Sequence, residues 1–92
     1  MAALRLVLVD DHPVVRHGLA ADLGDDFCVV GEAGDTAEAI EVIGTTRPDL
    51  VICDVHMPGG GGIAVVARCA EIAPIVMFTV SDAEQDVLDA VA

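Results

Sequence analysis

Four short aliphatic segments alternate with longer helix-like segments, and this alternation constrains the fold more than any other feature of the 92 residues. The segments Leu4–Val9, Phe27–Val30, Leu50–Cys53 and Ile75–Phe78 have the length and composition of buried strands. Strands that alternate with helices form a parallel sheet with right-handed crossovers. We therefore expect one α/β domain, because a chain of this length supports a single core.

Helix signals occupy the stretches between the first three strands. Pro13 suits the first turn of a helix, because its ring fixes φ near the helical value and its missing N–H would have no partner there. Helix one is expected from about Pro13 to Leu23. Asp35 and Glu38 have the spacing of a capping box that opens helix two. The inner stripe of helix two is expected to comprise Ala37, Ile40 and Ile43.

Glycine and proline residues predict where elements begin and end in the second half of the chain. The run Gly59–Gly62 predicts a flexible stretch after the third strand. Helix three is expected over Ile63–Ile72, where Pro74 stops it. A fourth helix after the last strand is expected to use Ser81 and Glu84 as its cap residues.

Charge and cysteine content exclude several classes of partner and site. The chain has sixteen acidic residues, four arginines and no lysine, for a formal net charge of -12. This charge repels phosphate backbones and anionic lipids, so we expect no direct nucleic-acid or membrane partner. The spacing of Cys28, Cys53 and Cys69 argues against a disulfide framework and favours a cytoplasmic setting. Asp10 and Asp11 interrupt the apolar start before any signal-peptide core could form.

Polar side chains follow three of the predicted strands. Asp10 and Asp11 follow strand one, Asp54 follows strand three, and Thr79 follows strand four. The carboxyl ends of parallel strands lie at one edge of the sheet, so these side chains should share a crevice. Three neighbouring carboxylates repel one another unless a cation intervenes, and an all-oxygen site suits Mg²⁺. With a cation present, Asp54 can attack phosphorus to form an aspartyl phosphate, and the Thr79 hydroxyl can bind a phosphoryl oxygen.

Each of these residues also has a simpler interpretation. Acidic residues after strands are often solvated turn or cap residues and carry no chemistry. Because all of them fall at one edge of the same predicted sheet, a shared site is favoured over separate caps.

Two longer motifs contain these residues. The sequence from Val9 to Leu19, Val-Asp-Asp-His-Pro-Val-Val-Arg-His-Gly-Leu, resembles the opening of receiver domains in response regulators with a LuxR-type helix-turn-helix. The segment from Arg47 to Pro58, Arg-Pro-Asp-Leu-Val-Ile-Cys-Asp-Val-His-Met-Pro, looks like the phosphoacceptor segment of the same family. The resemblance covers essentially the whole chain.

The resemblance implies a flavodoxin-like receiver sheet of order 2-1-3-4 with helices on both faces, and a signalling switch that is not an enzyme. It implies that Asp54 accepts a phosphoryl group from a histidine kinase. It assigns Mg²⁺ to Asp10, Asp11 and Asp54, together with the main-chain carbonyl of His56. Thr79 would be the switch residue, and the output would be a DNA-binding domain outside these 92 residues.

Compared with the family, the sequence lacks the lysine that pairs with the phosphoryl group, and it stops before strand five and its helix. We therefore expect residues 1–92 to form one receiver domain, incomplete at its C-terminus. Ile75–Phe78 would then be an edge strand, and we expect self-association through that edge. A truncated or degenerate receiver that acts by protein contacts alone is the alternative. An aspartate-nucleophile phosphatase is less favoured, because His56 stands where a second acid is usual.

Histidines and a cysteine near the motifs invite other hypotheses. The spacing of His12 and His17, and the position of His56, do not favour a transition-metal site made by histidines. Cys53 precedes Asp54 in a buried strand, so alternation should point its side chain away from Asp54 and into the core.

Overall fold

The fold was analysed in a computed structural model that describes residues 3–57 and 59–78. Its elements follow the predicted order of alternating strands and helices. They are β1 (Leu4–Val9), α1 (Pro13–Asp22), β2 (Phe27–Ala33), α2 (Thr36–Thr46), β3 (Leu50–Asp54), α3 (Gly61–Cys69) and β4 (Ile75–Phe78). The predicted fourth helix, with Ser81 and Glu84, and the predicted switch residue Thr79 lie outside the described residues.

The strands form one parallel sheet in the order β2-β1-β3-β4, which confirms the predicted topology. The chain passes from β1 to β2 in one direction along the sheet and from β2 to β3 in the other. Right-handed crossovers therefore put α1 on one face of the sheet and α2 and α3 on the other. Among the described residues, no helix is long and apolar enough to cross a membrane.

The face covered by α2 and α3 carries a closed core of small aliphatic side chains. Its fully buried members are Val7, Val9, Ala33, Ala39, Ile43, Val51, Cys53 and Val65. The inward prediction for Cys53 is confirmed. Of the predicted inner stripe of α2, Ile43 is buried and Ile40 packs against the core. The prediction that Ala37 faces inward is wrong, because the buried face of the helix passes through Thr36, Ala39 and Ile43. Ala37 is exposed.

Two predicted boundaries are wrong for reasons that involve glycine. Strand β2 does not stop at Val30 but continues through Gly31, whose backbone pairs with Val7. A Cβ atom on Gly31 would lie 2.5 Å from Val42 Cγ1, so glycine at this position lets α2 approach the strand closely. Helix α3 begins at Gly61 and ends at Cys69, whereas the sequence predicted Ile63–Ile72.

Arg5 links the C-terminal end of α2 to β1 by hydrogen bonds. Its guanidinium donates hydrogen bonds to the carbonyl oxygens of Thr46 (2.7 Å) and Arg47 (2.9 Å). Its main-chain N–H donates to Asp49 Oδ2 at 2.8 Å. The last carbonyl groups of a helix lack partners within the helix, so the arginine satisfies two of them and fixes where β3 starts.

Candidate functional site

Asp10 and Asp54 lie side by side at the carboxyl end of the sheet. Val9 pairs with Cys53 in the register of β1 and β3, so the next residue of each strand meets the other. Both aspartates are fully buried, whereas the side chain of Asp11 is 33% exposed. Ligand atoms of these three carboxylates and of His12 lie within 4.8 Å of one another. The structure thus brings together the three aspartates that the sequence singled out.

In each buried carboxylate, one of the two oxygens accepts a hydrogen bond from the main chain two residues later. The main-chain N–H of His12 donates to Asp10 Oδ1 at 2.7 Å, and that of His56 donates to Asp54 Oδ1 at 3.1 Å. The second oxygens, Asp10 Oδ2 and Asp54 Oδ2, are buried and have no hydrogen-bond partner among the described residues. A buried carboxylate oxygen without a partner is costly, so both oxygens suit a bound cation.

Burial raises the pKa of the Asp10 carboxyl group above its ordinary value. The hydrogen bond from the His12 main chain opposes this rise, while the nearby Asp54 charge adds to it. The His12 side chain also favours the ionised form of Asp10. Charge is therefore held in this pocket against a desolvation cost, which a divalent cation would offset.

The imidazole of His12 is part of the acidic cluster. Its Nδ1 lies 3.1 Å from Asp10 Oδ1 and 2.9 Å from Asp11 Oδ1, and its side chain is only 16% exposed. Sequence reasoning weighed His12 only against the other histidines and missed this position. The available signal was its place directly after the two aspartates, at the N-cap of α1.

Arg16 holds the main chain of the pocket at Asp10, a role that the sequence did not predict. Its Nη1 donates to the main-chain carbonyl oxygen of Asp10 at 2.6 Å. Its Nε lies 3.3 Å from Glu32 Oε1, which links α1 to β2. In a chain with four arginines, one placed a turn and a half after the acidic pair was the signal that could have found it.

The glycine run predicted to be flexible includes the first turn of α3. Gly61 and Gly62 are buried, and the Gly62 N–H donates to the Val55 carbonyl oxygen at 3.0 Å. Gly61 has φ of +68°, and a Cβ atom there would collide with the same carbonyl. On Gly62, a Cβ atom would lie 2.7 Å from the Asp54 carbonyl oxygen. These glycines therefore let α3 start directly against the strand end that carries Asp54.

The donor set of the pocket fits a hard divalent cation. Asp10 and Asp54 supply buried carboxylate oxygens without other partners, and Asp11 supplies a carboxylate with access to water. Mg²⁺ binds through one or a few carboxylates and keeps several waters, so a pocket with one open side suits it. The predicted roles of the His56 carbonyl and of Thr79 stay predictions.

Comparison with known proteins places the chain among signalling regulators. Residues 6–92 match the response regulator receiver domain. The nitrate/nitrite response regulator protein NarL of Escherichia coli K12 is 37% identical over 90 residues, which cover 92% of this chain and 42% of that protein. The DNA-binding transcriptional activator DevR/DosR of Mycobacterium tuberculosis is 50% identical over 62 residues, covering 65% of this chain and 29% of that protein. This chain therefore spans less than half the length of either relative.

A solved structure of a response regulator has the same fold as this chain. The two-component response regulator of the LuxR family from Aurantimonas sp. SI85-9A1 superposes with a TM-score of 0.76. The sequences are 36% identical, and the match covers 97% of this chain and 67% of that one.

Proposed function

Because the chain belongs to the response regulator receiver domain family, we propose that it accepts a phosphoryl group from a histidine kinase on Asp54. The observation that carries this proposal is the state of the Asp54 carboxylate. It is fully buried at the end of β3, its Oδ1 accepts the His56 N–H, and its Oδ2 has no partner among the described residues. One oxygen is held by the backbone, and the other has no competing hydrogen-bond partner from residues 3–57 and 59–78.

The other aspartates support this reaction by holding Mg²⁺. Asp10, Asp11 and Asp54 would supply side-chain oxygens, and the His56 carbonyl would supply a main-chain oxygen. When bound, Mg²⁺ neutralises charge on the phosphoryl oxygens and so lowers the repulsion between them and the pocket. The oxygen of the Asp54 carboxylate that does not bind the ion then forms the new bond to phosphorus, while the bond between phosphorus and the donor group breaks and the donor group leaves. The Thr79 hydroxyl would bind a phosphoryl oxygen after transfer.

We further propose that the chain acts as a switch and not as an enzyme. Its net charge of -12 repels DNA, so transcription would be controlled through a separate DNA-binding domain. DevR/DosR, to which the chain is similar, is a DNA-binding transcriptional activator. Its three free cysteines suit a reducing cytoplasm. Self-association through β4 is part of the same proposal, because β4 is the last strand of the described sheet and its Val76 side chain is 51% exposed.

A small phosphodonor tests the proposal directly. Incubation with acetyl phosphate and Mg²⁺ should add one phosphoryl mass to the chain, and peptide mapping should find it on Asp54. We expect slow labelling, because these 92 residues contain no lysine to neutralise the transferred group. The Asp54→Asn variant should take no label, while the exposed Asp25→Asn variant should label like the wild type.

Beryllofluoride with Mg²⁺ extends the test to weak acceptors, since it forms a stable acyl-phosphate mimic whose ¹⁹F NMR signal reports binding. Labelling at another residue, or an unchanged Asp54→Asn variant, would refute Asp54 as the acceptor. A folded chain that binds neither reagent would instead favour the alternative of a receiver that acts by protein contacts without phosphorylation.

A further inference from the structure

The acidic pocket contains a nitrogen donor in addition to its oxygens. His12 Nδ1 faces two of the carboxylates, at 2.9 Å from Asp11 Oδ1 and 3.1 Å from Asp10 Oδ1. The imidazole is largely shielded from solvent at the start of α1. Its ring nitrogen therefore belongs to the same small volume as the aspartate oxygens, within the 4.8 Å cluster.

The spacing of these atoms matches the edges of a coordination shell. Donors about 2.1 Å from an octahedral ion are separated by about 3.0 Å along each edge. The two distances from Nδ1 to carboxylate oxygens lie close to that value. The same distances are those of hydrogen bonds from a protonated Nδ1, so an ion bound here would replace that proton and contact the same nitrogen and oxygens.

A second observation points to a ligand in the same place. Asp10 Oδ2 and Asp54 Oδ2 are fully buried and have no hydrogen-bond partner in the described part of the chain. Protein interiors rarely leave two carboxylate oxygens unsatisfied beside each other. The pocket thus combines two unsatisfied buried oxygens with an imidazole nitrogen that faces the other oxygen of Asp10.

We infer that His12 Nδ1 is a metal ligand, and that this pocket prefers first-row transition ions such as Ni²⁺ and Mn²⁺ over Mg²⁺. The inference rests on the metal pocket of the proposed function and adds a nitrogen ligand to it. Imidazole suits first-row transition ions, whereas Mg²⁺ takes oxygen ligands almost alone. An oxygen-only pocket would still favour the transition ions, so the contribution of His12 is the part that a substitution must reveal.

Calorimetric titration with Ni²⁺ and Mg²⁺ separates the nitrogen from the oxygens. The variant His12→Asn places a favourable N-cap residue at the start of α1, where His12 makes no side-chain cap hydrogen bond, and removes the imidazole. We expect its dissociation constant for Ni²⁺ to rise by roughly tenfold or more, while that for Mg²⁺ changes by less than about threefold. His17→Asn is the matched control, because His17 is an exposed histidine on the same helix, and it should leave both constants unchanged.

The titrations have clear contrary outcomes. An unchanged Ni²⁺ constant in His12→Asn, or a loss of Ni²⁺ binding in His17→Asn, would overturn the inference. Tighter binding of both ions to His12→Asn would also overturn it, because the imidazole would then compete with the ion.

Mn²⁺ gives a direct test that needs no variant. Pulsed electron paramagnetic resonance of the Mn²⁺-loaded chain should show coupling to a directly coordinated nitrogen, and the coupling should change when histidine is labelled with ¹⁵N. Mn²⁺ bound without any nitrogen coupling would overturn the inference even if His12→Asn failed to fold.

Asp54→Asn separates this inference from the proposed function. Loss of both Mg²⁺ and Ni²⁺ binding in that variant, with no effect of His12→Asn, would keep the aspartate pocket and remove only the nitrogen ligand. A wild-type chain that binds neither ion would overturn both.

Discussion

At the scale of single residues, the pocket buries two acidic side chains, and this burial opposes folding. Asp10 and Asp54 are fully buried next to each other, and neither Oδ2 atom has a hydrogen-bond partner among the described residues. Burial raises the pKa of Asp10, which means that folding disfavours its ionised form. The residues that suit a bound cation therefore destabilise the chain when no cation is present.

Replacing Asp10 with asparagine should stabilise the metal-free chain. The pKa of Asp10 is higher in the folded chain than its ordinary 3.8, so the folded state binds the proton more tightly and stability falls as pH rises above that value. We expect Asp10→Asn to raise the free energy of unfolding at pH 7 in EDTA by about 1 kcal/mol, and by less at pH 4. Denaturant titrations measure this, and equal stability of variant and wild type at pH 7 would contradict it.

The exposed Asp25→Asn variant is the control, and it should change stability little at either pH. The same titrations with Mg²⁺ should show the reverse order, because Asp10→Asn removes a ligand from the pocket.

Cysteine reactivity should follow burial. Cys28 is exposed, whereas Cys53 and Cys69 are buried. Desolvation, reinforced by the charges of Asp54 and Asp10, raises the pKa of Cys53 to about 11. Since the unfolded thiol ionises near 9.0, Cys53 should also make stability fall as pH rises from that value towards 11.

Iodoacetamide at pH 8 tests this order of reactivity. The native chain should gain one adduct, on Cys28, and the denatured chain should gain three. Rapid native labelling of Cys53 would mean that the strand end opens readily beside Asp54.

At the scale of secondary structure, the contact between α3 and the end of β3 determines where Asp54 sits. Gly62 has no room for a Cβ atom, because one would meet the Asp54 carbonyl oxygen at 2.7 Å and collide with Met77 Cε. Gly18, within α1, has no heavy atom within 4 Å of a built Cβ atom. Gly18 and Gly62, two of the glycines within helices, therefore make a matched pair.

Gly62→Ala should destabilise the chain by about 1–3 kcal/mol, because the methyl group forces α3 away from the strand. Gly18→Ala should stabilise it by about 0.5–1 kcal/mol, since alanine loses less backbone entropy in a helix and meets nothing. Thermal unfolding of both variants measures the difference. A neutral Gly62→Ala variant would show that α3 can shift without cost.

The sequence predicts β1 and β4 with the bounds that the structure has, because each is a short and mainly apolar run that ends directly before a polar residue. It misplaces the start of α3, because Gly61 and Gly62 have low helix propensity and their close contact with β3 is a tertiary property. For the site, strand ends in a parallel sheet were enough to bring Asp10 and Asp54 together. His12 was missed, because the direction of an N-cap side chain depends on backbone angles that spacing does not reveal.

At the scale of the whole molecule, the net charge of -12 opposes compaction. Salt should therefore stabilise the chain by screening, and Mg²⁺ should stabilise it further by binding. At matched ionic strength, we expect MgCl₂ to exceed NaCl by about 1.4 kcal/mol when free Mg²⁺ is roughly ten times its dissociation constant. Unfolding titrations in the two salts measure this excess.

The Asp54→Asn variant separates binding from screening. It should keep the stabilisation by NaCl and lose the excess given by MgCl₂. An excess that survives in this variant would assign the effect of Mg²⁺ to the surface charge as a whole.

The shared register of β1 and β3 also determines which insertions and deletions this chain can tolerate. Asp10 and Asp54 meet because each follows a member of one aligned pair, Val9 and Cys53. Side chains alternate between the faces of a strand, so deleting one residue inside β1 would turn Asp10 to the opposite face. The turn over residues 24–26 precedes β2 and does not enter this register. Changes in chain length should therefore be harmless at that turn and disabling within either strand.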